Sequence, residues 1–212
     1  MKIWDVVVVG GGNAAYSAAL AAREQGASVL MLEAAPEEES GGNSRFTAGA
    51  MRVVYNGVDD IKALVPDLSQ GEIDTTDFGT YTQDQFFDDM ARVTQFRTDP
   101  NLCELLVTKS HDTLVWMREK GIRFVPIYGR QAFKIEGRFK FWGGLTVETV
   151  GGGEGLIAML KASGKKHDIE VRYRTRATDL VYDGARVTGV KVRHGNEVST
   201  TARASIVLTS FP

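Results

Sequence analysis

The chain has 212 residues, of which 43% are hydrophobic, enough for a domain with a buried core and against wholesale disorder. Its 25 basic and 27 acidic residues leave a net charge of −2, which favours neither nucleic acid nor an anionic membrane as partner. The one cysteine, Cys103, has no internal disulfide partner, and no apolar run reaches the roughly 20 residues that span a bilayer. We therefore expect a soluble, cytoplasmic protein with Cys103 buried on a helix.

The chain opens with the pattern of a βαβ unit. Ile3–Val9 is an apolar, mostly β-branched run, as in a parallel strand buried on both faces. Three glycines interrupt it, and the alanine-rich residues 14–25 predict a helix that Gly26 closes. Residues 28–33 predict a second short buried strand. The length suits one βαβ unit, and residues 34–49 then predict a loop.

Residues 80–125 predict a helical insertion. Thr82 and Gln85 have the spacing of a capping box. Asp99 and Pro100 predict the start of a second helix, which Gly121 ends. The apolar side chains expected in the core are Phe86, Phe87, Met90, Val93, Leu102, Leu105, Leu106, Leu114 and Met117.

The last third of the chain predicts one short helix and then strands. Residues 129–144 are expected to form a basic loop, and residues 156–162 a helix. Apolar residues alternate with arginines over 171–176, as in one strand, and residues 180–192 predict a β-hairpin. Two further strands are expected at 198–201 and 204–208, the second buried and central. The predicted fold class is therefore α/β: a Rossmann-type sheet with a helical insertion and a β-meander.

A Gly-x-Gly-x-x-Ala pattern runs from Gly10 to Ala15 between the first strand and its helix, which is the context that dinucleotide binding requires. Gly10 permits the tight turn, Gly12 lets the backbone approach a pyrophosphate, and Ala15 keeps helix and strand close. The helix N-terminus then offers free N–H groups and a partial positive charge.

Two further signals follow the glycine pattern. Glu33 ends the second strand, where a carboxylate accepts hydrogen bonds from ribose hydroxyls and disfavours the extra phosphate of NADP. Residues 41–44, Gly-Gly-Asn-Ser, allow close backbone contact with a phosphate or a flat ring. By its residues alone, this second segment could equally be a flexible surface loop.

The chain resembles the FAD-binding part of the fumarate reductase and succinate dehydrogenase flavoprotein family. The resemblance lies in residues 10–15, in Glu33 and in the run 41–52, which reads Gly-Gly-Asn-Ser-Arg-Phe-Thr-Ala-Gly-Ala-Met-Arg. The likeness covers most of the chain. It implies FAD as cofactor and an incomplete FAD-binding domain over residues 1–212. That domain would comprise the βαβ unit and flavin loop at 1–50, the insertion at 80–125, and a helix, strand and meander at 151–209.

The resemblance also implies which residues contact FAD. Those expected at the pyrophosphate and riboses are Gly10, Gly12, Asn13, Ala14, Glu33 and Thr209. Those expected along the flavin are Gly42, Asn43, Ser44, Ala48 and Gly49, while Ala177 would contact the adenine through its backbone.

The activity implied is an FAD-dependent dehydrogenation of a carbon–carbon bond beside carboxylates, with hydride transfer to FAD. A small polycarboxylate is the expected substrate, specifically tricarballylate, which becomes cis-aconitate; the electron acceptor is unknown. Other fumarate reductase-type or ketosteroid-dehydrogenase-type reactions, or non-catalytic dinucleotide binding, stay open. The family's Gly-Gly-Phe turn after the last strand is replaced here by Thr209–Pro212. We therefore expect a truncated or frameshifted chain without the capping domain, inactive alone, with its catalytic residues beyond Pro212.

The remaining polar residues give weaker signals. Arg130, Lys134, Arg138 and Lys140 surround one acid and either attract a polycarboxylate or form a solvated face. The arginines at 172, 174 and 176 predict a water-facing sheet surface. The three histidines, His111, His167 and His194, show neither triad nor metal spacing.

Overall fold

The structure is a computed structural model that describes residues 2–195 and 200–209. The chain divides into two compact units. Met1–Thr47 and Gly153–Pro212 form the first, called here the sheet unit, and Ala48–Gly152 form the second, the inserted unit. No helix in the described part of the chain is both long and apolar enough to cross a membrane.

The secondary structure alternates helices with short strands. The strands are β1 (Ile3–Val9), β2 (Val29–Leu32), β3 (Ala50–Met51), β4 (Tyr55–Asn56), β5 (Thr76–Asp77), β6 (Thr80–Tyr81), β7 (Phe124–Pro126), β8 (Ala132–Ile135), β9 (Arg138–Phe141), β10 (Val147–Thr149), β11 (Glu170–Arg172), β12 (Thr175–Tyr182), β13 (Val187–His194) and β14 (Thr200–Thr209). The α-helices are α1 (Asn13–Glu24), α2 (Val58–Leu64), α3 (Gln70–Thr75), α4 (Gln83–Thr94), α5 (Pro100–Glu119), α6 (Tyr128–Gln131) and α7 (Gly152–Lys166).

The sheet unit is built on one mixed sheet in the order β11-β2-β1-β14-β13-β12. The first four strands are parallel, and β13 and β12 continue the sheet as an antiparallel meander. Val7 pairs with Leu30 on one side and Val207 on the other, so β1 is central. The predicted βαβ unit, the hairpin and the α/β class with a meander are confirmed.

A cluster of buried residues packs along this sheet. Fully burying an aliphatic side chain contributes roughly 1.5–3 kcal/mol, so β1 and β2 anchor the unit. The buried members of the cluster are Trp4, Val7, Leu30, Leu32, Val190, Val192, Ala202 and Ala204.

The expectation of a fully buried strand at 204–208 is wrong in part. Strand β14 is central by hydrogen bonding, but Ile206 is 53% and Leu208 38% exposed. The strand expected at 198–201 lies partly outside the described residues; Thr200 and Thr201 belong to β14.

The single strand predicted over 171–176 is wrong. The backbone turns at Arg174, whose φ is +52°, and this separates β11 from β12. Val171 in β11 pairs with Met31, whereas Ala177 in β12 pairs with Val192. Apolar alternation cannot reveal such a turn, because both flanking segments are extended with the same side-chain period.

Both predicted helix starts in the inserted unit are confirmed. In the α4 capping box, Gln85 N–H donates to the Thr82 hydroxyl at 3.2 Å, and Thr82 N–H donates to Oε1 of Gln85 at 2.8 Å. The Asp99 carboxylate accepts the N–H groups of Asn101 and Leu102 at 2.9 and 3.0 Å. These bonds satisfy N–H groups that have no partner within the helix. Helix α5 ends before Gly121, at φ +94°.

The predicted apolar core of these helices is only half right. Helix α5 buries Cys103, Val107, Ser110, Leu114 and Met117, as expected for the cysteine, Leu114 and Met117. Phe86 is also buried. Four of the side chains expected in the core are exposed, namely Val93 (66%), Leu102 (66%), Leu105 (58%) and Leu106 (48%). Helix α5 therefore has an apolar stripe on its outer side as well as a buried face.

Three local predictions need correction. Residues 129–144 are not a loop, because β8 and β9 form a hairpin with Glu136 and Gly137 at its turn, at φ +50° and +84°. Positive φ at both turn residues suits a two-residue hairpin turn. Residues 34–49 contain two 3₁₀ turns, Glu37–Glu39 and Gly42–Phe46. Helix α7 is longer than the predicted 156–162.

Candidate functional site

Three strand ends meet at one edge of the parallel sheet. Val9, the last residue of β1, pairs with Leu32 at the end of β2 and with Thr209 at the end of β14. Gly10 and Glu33 follow directly. Ligands of open α/β sheets bind in the crevice outside the carboxyl ends of the strands, so this edge is the candidate site.

The glycine pattern forms the turn from β1 into α1. Gly10 has φ +121°, a conformation that side-chain-bearing residues rarely adopt, and its N–H donates to the Leu32 carbonyl at 2.9 Å. Gly12 is the N-cap residue and supplies no capping side chain. The first turn of α1 contains no acidic residue. The N-terminal partial positive charge of α1 is therefore unopposed by any acid in that turn.

The Gly-Gly-Asn-Ser segment lies against this helix start. The Asn13 N–H donates to the Ser44 hydroxyl at 3.1 Å. A Cβ added to Gly12 would lie 3.3 Å from the Gly41 carbonyl oxygen and 3.4 Å from Oγ of Ser44. The Asn13 side-chain oxygen is buried and has no hydrogen-bond partner among the described residues. Because buried polar atoms are nearly always bonded, this oxygen marks a place for a donor from a ligand.

Glu33 is held in place by the turn that follows it. Its Oε1 accepts the Ala35 N–H at 2.7 Å. Its Oε2 lies so close to Gly11 that a Cβ there would overlap it. Sequence reasoning overlooked Gly11, although its place in a run of three glycines was a signal. The carboxylate therefore lies directly beside the glycine turn.

The N-terminus of α7 supports the Gly-Gly-Asn-Ser segment from behind. Gly153 N–H donates to the Thr47 carbonyl at 2.9 Å. A Cβ at Gly153 would overlap the carbonyl oxygens of Ser44, Arg45 and Thr47. A Cβ at Gly41, where φ is +123°, would lie 2.9 Å from Ile157. The glycines at 41 and 153 thus permit a close approach that larger residues would prevent.

The other predicted contacts are spread more widely. Ala14 and Asn43 are exposed, and Gly42 adopts φ +53°. Ala177 is half-buried beside a β-bulge in β12. Ala48 and Gly49 belong to the inserted unit, where a Cβ at Gly49 would overlap the Thr149 side chain.

Two tyrosines that sequence reasoning overlooked lie behind the site. Tyr16 of α1 is buried, and burial together with a hydrogen bond to Tyr173 raises the pKa of its hydroxyl. Burial also raises the pKa of Tyr173. Both phenols therefore stay neutral at ordinary pH and can donate.

The histidines and the basic residues of the hairpin region contact residues of their own unit. The His111, His167 and His194 rings bond respectively to the Asp60 carbonyl, the Ser163 carbonyl and the Thr175 hydroxyl. In the hairpin region, Arg130 pairs with Glu148, and Lys140 pairs with Asp77. Among the described residues, no group of three or more His, Cys, Asp or Glu side chains could hold a metal ion.

The site at the ends of the parallel strands fits a dinucleotide. It combines a glycine turn into a helix start without a capping side chain, the adjacent Glu33 carboxylate, and the buried Asn13 side-chain oxygen that has no described partner. These features define a Rossmann-type dinucleotide-binding domain. A family model described as "FAD binding domain" matches residues 5–210. The chain belongs to this family, and FAD is its cofactor, as predicted.

Comparison with solved structures gives the same fold. A flavocytochrome c3 fumarate reductase in its open conformation is 25% identical, with a TM-score of 0.70 over 98% of this chain and 33% of that chain. The 3-ketosteroid-Δ4-(5α)-dehydrogenase of Rhodococcus jostii RHA1 is 20% identical, with a TM-score of 0.72 over 98% and 45%. E. coli quinol fumarate reductase is 14% identical, with a TM-score of 0.66 over 99% and 32%. The last two show the fold alone.

The chain therefore spans 32–45% of the length of these structures. No curated protein matches the sequence.

Proposed function

We propose that FAD binds along the carboxyl edge of the sheet unit, with its pyrophosphate at the N-terminus of α1. The observation that carries this proposal is the meeting of Gly12, Asn13 and Ser44 beside Glu33, all close to one helix start. Backbone N–H groups in this turn would bind phosphate oxygens. The Glu33 carboxylate would accept hydrogen bonds from the adenosine ribose.

The other predicted contacts complete this proposal. Thr209 pairs with Val9 where both strands end, and its hydroxyl is proposed to contact a phosphate or ribose. The β12–β13 register shifts after Ala177, and the backbone of Ala177 is proposed to contact the adenine. Gly42, Asn43 and Ser44 would lie along the flavin side. Ala48 and Gly49 stay predictions drawn from the sequence pattern.

For the whole protein that carries this domain, we propose an FAD-dependent oxidoreductase that acts on carbon–carbon bonds beside activating carboxylates or carbonyls. The support is membership of the FAD-binding domain family and the likeness to a fumarate reductase at 25% identity. Bound FAD supplies hydride transfer to or from such a bond. The described residues are proposed to bind and orient the cofactor only, and no catalytic acid or base is assigned among them.

Tricarballylate, oxidised to cis-aconitate, is the proposed substrate. It rests on the run from Gly41 to Arg52. A ketosteroid is the second candidate, because the family resemblance of the sequence leaves a ketosteroid-dehydrogenase-type reaction open. The two classes differ in charge, so a substrate panel separates them.

Cofactor identity is tested first on the 212-residue chain. The protein is purified, denatured, and the released nucleotide is identified by chromatography and counted per chain. FAD is expected, and E33A should release less of it than wild type. Release of NAD without FAD would contradict the proposal.

The reaction is then tested on the whole protein under anaerobic conditions. Tricarballylate, succinate and a 3-ketosteroid are each added, and loss of oxidised-flavin absorbance with tricarballylate alone is expected.

A further inference from the structure

Helix α5 in the inserted unit has two separate apolar faces. One face contains Cys103, Val107, Leu114 and Met117 and is buried within the unit. Successive residues of an α-helix are rotated by about 100° around its axis. On that basis the other face is a stripe about 120° wide, and its centre lies about 120° around the helix from the centre of the buried face. We call it the outer stripe. Its members are Leu102, Leu105, Leu106, Lys109, Asp112, Thr113 and Trp116.

The outer stripe is unusual for a solvated surface. Leu102, Leu105 and Leu106 are exposed side by side on the first turns of α5. Singly exposed apolar residues are ordinary, whereas contiguous ones mark an interaction surface. The stripe also lines an open groove of about 620 Å³, which Arg52 and Leu114 help to form. A side chain from a partner could pack into this groove.

The charges on the stripe are spaced for pairing with a second copy of α5. Lys109 and Asp112 are exposed, and neither forms an ion pair with any described residue. Leu105 and Trp116 flank them. Two pairs of residues are centred on the same point of the helix, between residues 110 and 111. One pair is Lys109 with Asp112, and the other is Leu105 with Trp116. When two copies of α5 pack antiparallel about that midpoint, each Lys109 faces Asp112 of the other copy, and each Leu105 faces Trp116.

We propose that the outer stripe of α5 is a homodimer interface, formed by antiparallel packing of α5 against α5 of a second copy. The spacing supports this geometry, because residues 102, 105, 109, 112 and 116 follow the 3–4 repeat of helices that pack side by side. The interface is isologous, as a two-fold dimer requires. With a net charge of −2, two copies repel each other only weakly.

The oligomeric state of the 212-residue chain tests this proposal. Light scattering after size-exclusion chromatography, over a series of loading concentrations, should show a monomer that becomes a dimer. L105E should raise the dissociation constant of the dimer at least about tenfold, because it buries a charge without a partner. L180E is the matched control, since Leu180 is 50% exposed in the sheet unit and should not affect dimerisation. Circular dichroism verifies that each variant is folded.

Charge reversal tests the pairing itself. K109D and D112K should each dimerise at least about tenfold more weakly alone, because like charges then face each other. An equimolar mixture of K109D and D112K should form a heterodimer with near wild-type affinity, since opposite charges face again at both positions. A monomer at every concentration would overturn the proposal. So would a dimer insensitive to L105E, or a mixture that fails to restore dimerisation.

Discussion

The backbone N–H of Asn13 and the side-chain hydroxyl of Ser44 form a hydrogen bond of 3.1 Å, although 31 residues separate them. This bond joins the two glycine-containing segments of the candidate site at the N-terminus of α1. It places a neutral hydroxyl beside helix N–H groups that also suit a phosphate. The proposed pyrophosphate site is therefore shared by two distant parts of the sequence.

Ser44 should contribute measurably to FAD binding. In S44A, the Asn13 N–H loses its partner and the Gly41–Ser44 segment loses one anchor. A hydrogen bond contributes about 0.5–1.5 kcal/mol net, so the dissociation constant for FAD should rise about twofold to tenfold. Fluorescence titration of FAD measures it. S69A removes the α3 capping box in the inserted unit and serves as the control, with FAD affinity unchanged. Unchanged affinity in S44A would refute the role.

A side chain at Gly11 should displace the Glu33 carboxylate. The Cβ of G11A would overlap Oε2 of Glu33 and push the carboxylate away from the glycine turn. FAD affinity should fall about tenfold or more, the cost of misplacing a charged hydrogen-bonding group. E33Q keeps an oxygen for the Ala35 N–H and should bind FAD better than E33A, by the same titration. G71A, where a Cβ meets nothing within 4 Å, is the glycine control. Equal binding by G11A and wild type would show that FAD binding does not require the Glu33 carboxylate to lie against Gly11.

Gly153 should matter for stability rather than for cofactor contact. The Cβ of G153A would overlap three carbonyl oxygens of the Ser44–Thr47 turn, so α7 must shift away. Overpacking of this kind costs about 1–3 kcal/mol. Urea unfolding followed by circular dichroism should show that loss in G153A and little change in G129A, whose added Cβ is in open space. A stability loss below about 0.5 kcal/mol would indicate that α7 adjusts freely.

The inserted unit should lose stability at acid pH through Asp89. Hydrogen bonds from Arg92 and Tyr81, together with the charge of Arg52, lower the pKa of this carboxyl below its ordinary 3.8. Because the folded-state pKa is depressed, the stabilisation is present above about pH 4 and is lost as pH falls through the lowered value. Urea midpoints from neutral pH down to acid should fall less steeply in D89N. Y81F removes one donor and should reduce part of the slope. Equal slopes in wild type and D89N would exclude Asp89.

Several features followed from the sequence because they depend on neighbours in the chain. The βαβ unit is an apolar strand, a glycine turn and an alanine-rich helix in succession. The capping boxes depend on side chains within three residues of each other, as at Thr82 and Gln85. The family resemblance and the FAD cofactor rest on the same local patterns. The hairpin turn at Glu136 and Gly137 was also a local signal, hidden by the charged residues around it.

Only the tertiary structure decided the rest. The helical spacing of apolar residues does not tell which apolar face of α5 is buried, because Leu105 and Leu114 both lie at that spacing. Packing within the inserted unit buries Leu114 and leaves Leu105 exposed. The turn at Arg174 depends on where β11 and β12 find their partners. The contacts of Glu33 with Gly11, and of Ser44 with Asn13, join residues far apart in sequence. Such contacts exist only after the strands pair, since hydrogen bonding and steric overlap act through space.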